Sequence, residues 1–264
     1  MPKPETISSA ANPLLRDIRR AIARGGLTAQ GWCVAETIHL LEEALRSPSE
    51  VMHVLASESA HTKLPPLGGA KLSILPDALL QKTSGTPSSQ GVITLVDPPQ
   101  WREPDVLGEW PLVVILDGVQ DPGNAGAIVR SAEAFGATGA MFLTGSASCF
   151  NPKTLRASAG SLFRVPFLMG LDGVEAIDAL AEHRVQIYAA VAAHSTDGVR
   201  DIADVDLAAP CALIIGSEGS GVRPELRALS QPVSIPTMAV ESLNAAMAAG
   251  ILLYEARRQR GRHR

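Results

Sequence analysis

Five apolar residues over 112–116 run without a break and end in Asp117-Gly118. A run of this kind, rich in β-branched residues and bounded by turn formers, predicts a strand buried on both faces. Asp121-Pro122-Gly123 reads as a turn, and a helix is predicted over 124–135, with Asn124 as its N-cap and Gly136 as the stop after Phe135. The alternation continues: strands are predicted at 112–116, 139–144, 186–192, 211–215 and 233–235. Helices are predicted at 124–135, 174–182, 222–230 and 242–259. This pattern calls for a parallel sheet covered on both faces, with ligand loops beyond the carboxyl ends of its strands.

Upstream the pattern is mixed α/β. Asn12-Pro13 caps a helix carrying Leu14, Ile18 and Ile22 on one face and Arg16, Arg19 and Arg20 on others. A second helix is predicted at 38–46, strand-like pieces at 51–56 and 91–96, and a loop at 84–89. The proline-rich stretch 98–111 reads as a linker between a module at 1–97 and one at 112–264.

Composition narrows the class. A chain of 264 residues, 46% apolar, buries one large core or two modest ones. The net charge of −4 argues against a generally basic nucleic-acid binder, but the charge is uneven. Residues 1–30 carry five Lys/Arg against two acids, 151–164 carries Lys153, Arg156 and Arg164 with no acid, and the tail from Ile251 carries five Arg against Glu255. Such local patches suit contact with a limited stretch of phosphate backbone; solubilising termini are the plainer explanation. Cys33, Cys149 and Cys211 show no CxxC spacing and sit among apolar residues, so they read as small buried hydrophobes in a reducing compartment. The histidines form no metal-binding cluster, and no metal is expected. Neither a signal-peptide core nor a membrane-spanning run is visible, which predicts a cytoplasmic protein without membrane contact.

Three segments carry candidate chemistry. Arg130 stands six residues past Asn124, nearly two turns along, beside a Gly-rich loop. An exposed solvated Arg is the plain alternative. Residues 211–221 run a second buried strand into a loop holding Glu218 among glycines, and Ser242-Leu243-Asn244 opens the last predicted helix. Together these segments resemble the motifs of the SpoU/TrmH family of RNA ribose 2′-O-methyltransferases, within the SPOUT class. Residues 151–166 also resemble that family's PK…R-S-x-G-x-x-F pattern, and the first module resembles the small ribosomal-protein-like substrate-binding domain many members carry. Thr37 stands where the family usually has Gly, Ser89 where it often has Pro, and the turn at 236–241 is one residue short of the common form.

The resemblance implies an α/β SPOUT domain with a deep trefoil knot, a homodimer built through the last helix, and S-adenosyl-L-methionine as cofactor. It implies catalytic roles for Asn124, Arg130, Glu218, Ser242 and Asn244, and cofactor contacts for Gly216, Gly221, Ile235 and Leu243. Arg16, Lys153, Arg156 and Ser158 become the candidate RNA contacts. Arg130 is described in the family as a base, yet a guanidinium stays protonated, so alkoxide stabilisation and a phosphate clamp are the easier roles. The implied substrate is structured RNA, rRNA ahead of tRNA, with a catalytically silent RNA-binding member as the rival of another class. A nicotinamide-binding Rossmann enzyme is disfavoured because Gly123-Asn124-Ala125-Gly126 offers only GxxG; no P-loop or GxSxG elbow is present.

Overall fold

The computed structural model describes residues 4–87, 89–192 and 198–261. These form two compact units: Met1–Gln100 with Phe150–Arg164, and Trp101–Cys149 with Val165–Arg264. The chain opens with β1 (Glu5–Thr6), α1 (Pro13–Arg24), β2 (Cys33–Glu36), α2 (Ile38–Leu45) and β3 (Glu50–Ser57). It continues through β4 (Lys71–Leu75), α3 (Asp77–Thr83), β5 (Val92–Asp97), α4 (Glu103–Leu107), β6 (Leu112–Asp117) and α5 (Pro122–Phe135). Next come β7 (Gly139–Leu143), α6 (Pro152–Ser158), β8 (Phe167–Leu171), α7 (Gly173–Glu182) and β9 (Gln186–Ala190). The last elements are β10 (Arg200–Asp201), β11 (Cys211–Gly216), α8 (Pro224–Ala228), β12 (Gln231–Ser234) and α9 (Ala245–Arg260).

In the first unit the strands lie in the order β1-β4-β3-β5-β2, with β5 antiparallel to both its neighbours. Asn12 caps α1 by accepting from the Leu14 N–H, and Gly25 closes the helix at φ 62°. Leu15 and Ile18 of α1 pack with Leu55, Ile93 and Leu95 of the sheet, while Leu14 and Ile22 lie only partly buried beside them. Thr37 holds φ 121° and caps α2 by accepting from the Leu40 N–H. A β-branched residue in that region is strained, and a glycine there would not be.

The segment 150–164 departs from expectation. The sequence places it in the catalytic module, yet its contacts belong to the first unit. Arg156 donates to the fully buried Glu36 carboxylate, which also accepts from Ser84 Oγ and the Gly85 N–H. Arg164 Nη1 donates to Glu43 Oε2 at 2.6 Å, and Gly160 (φ 91°) packs so closely on Glu43 that a Cβ would lie 2.5 Å from its side chain. Each guanidinium thus neutralises a carboxylate on β2 or α2.

The second unit holds a parallel sheet ordered β10-β12-β9-β11-β6-β7-β8. The five expected strands are its centre; β8 and β10, not foreseen, are its edges. The expected linker at 98–111 instead contains α4, whose Val106 and Leu107 are buried in the same core as Val113, Ile115 and Ile214. Five helical residues between prolines show no legible period, so in sequence the stretch reads as a linker. Arg260, from the basic tail, spends its guanidinium on the carbonyls of Leu207, Ala209, Trp110 and Pro111, and Arg258 pairs with Glu255. These two arginines are therefore not a phosphate patch. The final three residues, including Arg262 and Arg264, lie outside the described residues.

Candidate active site

The C-terminal ends of β6 and β11 lie side by side, with Asp117 and Gly216 as register partners. After β6 the chain turns at Gly118 (φ 66°), and α5 begins at Pro122, so Asp121 rather than Asn124 is the N-cap, accepting from the Asn124 N–H at 2.9 Å. Two residues competed for the cap, and Pro122 decided it: proline at the first helical position fits the residue before it as cap. The consequence is chemical. The Asn124 side chain is released from capping and donates to Glu218 Oε1, while its own Oδ1 accepts from Asn244 Nδ2 at 3.1 Å.

The last helix shows a similar shift. It opens at Ala245 with Asn244 as N-cap, accepting from the Ala246 and Met247 N–H groups; Ser242 is exposed two residues earlier and does not cap. Asn244 thus does two jobs, fixing the helix with its oxygen and reaching Asn124 with its nitrogen. The expected α8 also shrinks to Pro224–Ala228, because Pro224 fixes its start.

The loop after β11 doubles back on itself. A Cβ on Gly216 would lie 2.1 Å from the Gly221 backbone, and the Gly221 N–H donates to Ser217 O at 3.0 Å. Gly216 is therefore required by the loop's own fold. Gly221, at φ 67°, makes the turn that brings the chain back.

Beside this loop lies a cavity of about 450 Å³. Ile215, Val233, Ile235, Leu243 and Leu252 give it apolar walls, and Glu218, Glu241, Ser242, Thr237 and Arg227 give it polar ones. All four expected cofactor-contact residues line it, as do Glu218 and Ser242. The turn at 236–241 borders the cavity through Thr237 and Glu241, leaves Met238 fully exposed, and is closed by Thr237 Oγ1 donating to Val240 O. Arg130 projects from α5 into solvent, with no hydrogen-bond or ion-pair partner among the described residues.

The candidate RNA contacts divide. Arg16 and Lys153 are exposed. Ser158 is fully buried and donates to Leu155 O, and Arg156 is committed to Glu36, so neither is offered to a phosphate; both anchor α6. One pair escaped sequence reasoning. Buried Asp117 accepts from the Arg223 N–H at 2.8 Å and from Arg223 Nε at 2.6 Å. The signal available was an acid closing an apolar run, which reads equally well as a turn former.

Comparison with known proteins agrees with this fold. The SpoU rRNA Methylase family matches residues 111–254. An uncharacterized tRNA/rRNA methyltransferase of Synechocystis is 32% identical over 96% of this chain and 94% of its own length. The 23S rRNA (guanosine(2553)-2′-O)-methyltransferase RlmP of Bacillus subtilis is 29% identical, over 95% of this chain and 98% of that protein. Among solved structures, the SpoU methyltransferase AviRb of Streptomyces viridochromogenes in complex with AdoMet superposes with a TM-score of 0.82 at 26% identity, covering 94% of this chain and 98% of that one. An AdoMet-bound rRNA methyltransferase of Sinorhizobium meliloti also reaches a TM-score of 0.82 at 25% identity, covering 96% and 97%. With the strand-end loops, the cavity and a relative spanning almost its whole length in agreement, this chain belongs to the SpoU rRNA methylase family.

Proposed function

We propose that this protein transfers the methyl group of S-adenosylmethionine to a ribose 2′-hydroxyl of structured RNA, with rRNA as the substrate class. The observation that carries this reading is the row Asn244–Asn124–Glu218, which links three segments from separate strand ends beside the cavity. The cavity suits the cofactor on its chemistry. Apolar Ile235 and Leu243 fit the faces of an adenine, and the carboxylates of Glu218 and Glu241 fit a ligand carrying sulfonium and ammonium charges. When bound, S-adenosylmethionine supplies a methyl group activated on its sulfonium.

The chain's own residues then orient the acceptor and carry the developing charge. Asn124 is held from both sides, so its position relative to Glu218 is fixed before RNA arrives. Arg130, exposed on the same helix, is the donor available to the ribose oxygen and its neighbouring phosphate; its planar fork suits paired oxygens. It acts as a charge stabiliser because a guanidinium keeps its proton. Glu218 Oε2 has no partner among the described residues and is the oxygen open to the hydroxyl proton.

The same reading assigns RNA docking to the first unit through Arg16 and Lys153. It includes a trefoil knot in the second unit, a cytoplasmic location and a homodimer. The dimer is supported by α9, which exposes Met247, Ile251 and Tyr254. No helix among the described residues is long and apolar enough to cross a membrane.

The test is methylation of unmodified transcripts of 23S rRNA, 16S rRNA and tRNA with labelled cofactor, followed by alkaline hydrolysis. Label retained in an alkali-resistant dinucleotide of an rRNA is the expected result. Cofactor binding without methylation of any transcript would point to a silent RNA-binding member.

A further inference from the structure

We infer that Asp117 and Arg223 are positioning residues that hold the Glu218 loop, and with it the cofactor cavity, in register with Asn124. Asp117 ends β6 and lies opposite Gly216, where the loop departs from β11. The loop returns at Arg223, whose N–H and Nε bond to the two different oxygens of the Asp117 carboxylate, at 2.8 and 2.6 Å. The returning end of the loop is thereby tied to the buried side chain of the residue that faces its departing end across the two strands. Between them the loop is stiffened by the Gly221-to-Ser217 backbone bond and by Ser217 Oγ against Ser220 Oγ at 2.8 Å. At its tip Glu218 takes the Asn124 amide. Asn124 belongs to the segment that begins one residue after Asp117, so Asp117 is the common root of both halves of the site.

The pair is not an economical piece of packing. Arg223 Nη2 is buried with no hydrogen-bond partner among the described residues, and Gly173, at the start of α7, has no room for a Cβ because that nitrogen would stand 2.7 Å away. A buried unsatisfied donor beside a helix N-terminus disfavours folding. Against that cost stands a charge-assisted bond from Arg223 Nε to Asp117, which together with the main-chain N–H of the same residue occupies both carboxylate oxygens.

This inference rests on the methyl-transfer reading, and the experiment separates the two. Arg223→Ala, Arg223→Lys and Asp117→Asn are compared with the wild type by hydrogen exchange without ligand, by calorimetry with S-adenosylmethionine, and by single-turnover methylation of a 23S rRNA transcript at saturating cofactor. Arg223→Ala is expected to speed exchange at Gly221. It should also weaken cofactor binding and slow methyl transfer by about tenfold or more each, since misplacement of a site by about 1 Å is that costly. RNA affinity should stay within about twofold, and Arg223→Lys should fall between Ala and wild type. Combining Asp117→Asn with Arg223→Ala should cost no more than the worse single change. The inference is overturned if Arg223→Ala, or Arg223→Lys should the Ala variant not fold, only melts earlier while loop exchange, cofactor affinity and single-turnover rate stay at wild-type values. A wild type that binds no S-adenosylmethionine sinks the methyl-transfer reading instead, and the exchange data on ligand-free protein still decide the loop coupling.

Discussion

At the scale of single residues, Arg130 is the sharpest case. It is exposed and unpartnered among the described residues, so its removal costs the fold almost nothing. Arg130→Ala should leave S-adenosylmethionine affinity intact and lower single-turnover methylation by roughly 10² or more, with little rescue by Lys. A wild-type rate in Arg130→Ala would make Arg130 an ordinary surface residue. Thr37 offers a test of strain: Thr37→Gly relieves φ 121° at the loss of one cap, and should raise stability by about 1 kcal/mol in denaturant titration. The cysteines give a pH signature. Burial pushes the Cys33 thiol up to about 12 and Cys211 to about 11, so both stay protonated and unreactive toward thiol reagents in native protein at neutral pH. Above the ordinary thiol value near 9 the unfolded chain releases these protons and the folded chain keeps them. Their contribution to stability is therefore complete below pH 9 and is lost as pH rises towards 11–12, which thermal melts across that range will read.

Among elements, α6 shows how a local pattern misleads. Its Lys, Arg and Ser matched an RNA-contact motif, yet Arg156 is the counter-ion of a carboxylate with no exposure at all. Removing one partner of a buried pair leaves an uncompensated charge, so Arg156→Ala should destabilise by about 3 kcal/mol. Glu36→Gln on that background should recover part of the loss, and its failure to do so would argue against the charge account. The same contact sets where a fragment can be cut. A chain ending at Gln100 lacks Arg156 and Arg164, leaving Glu36 and Glu43 without these guanidiniums, and should unfold at markedly lower denaturant than the full chain. The two helices bearing the site show the reverse error. Both were legible as helices, but their caps were each read two or three residues away, and the true caps decide which asparagine oxygen or nitrogen faces the site.

At the scale of the whole molecule, the apolar row on α9 is the feature in search of a partner. Ala249, Leu252, Leu253 and Ala256 are buried, while Met247, Ile251 and Tyr254 remain exposed, Tyr254 with its ring edge-to-face on Phe135 at 5.7 Å. Light scattering at micromolar concentration should return a dimer, and Met247→Glu combined with Ile251→Glu should return a folded monomer. A wild-type monomer would remove the dimer from the proposed function.

What the sequence determined by itself is whatever is written in short-range order. Alternating apolar runs and helical faces specified the parallel α/β unit, because β6, β7 and β11 are buried almost throughout and lie between turn residues. Ordered motifs single out Asn124, Glu218 and Asn244, which the fold joins by hydrogen bonds. Tertiary structure alone decided the rest. Edge strands such as β10, two residues long, and helices such as α4, five residues long, carry too few positions to show a period. Glu36 with Arg156 and Asp117 with Arg223 are 120 and 106 residues apart, and nothing local marks which acid will meet which base. A charge seeks its partner across the fold, because burial, not sequence neighbourhood, sets the penalty for lacking one.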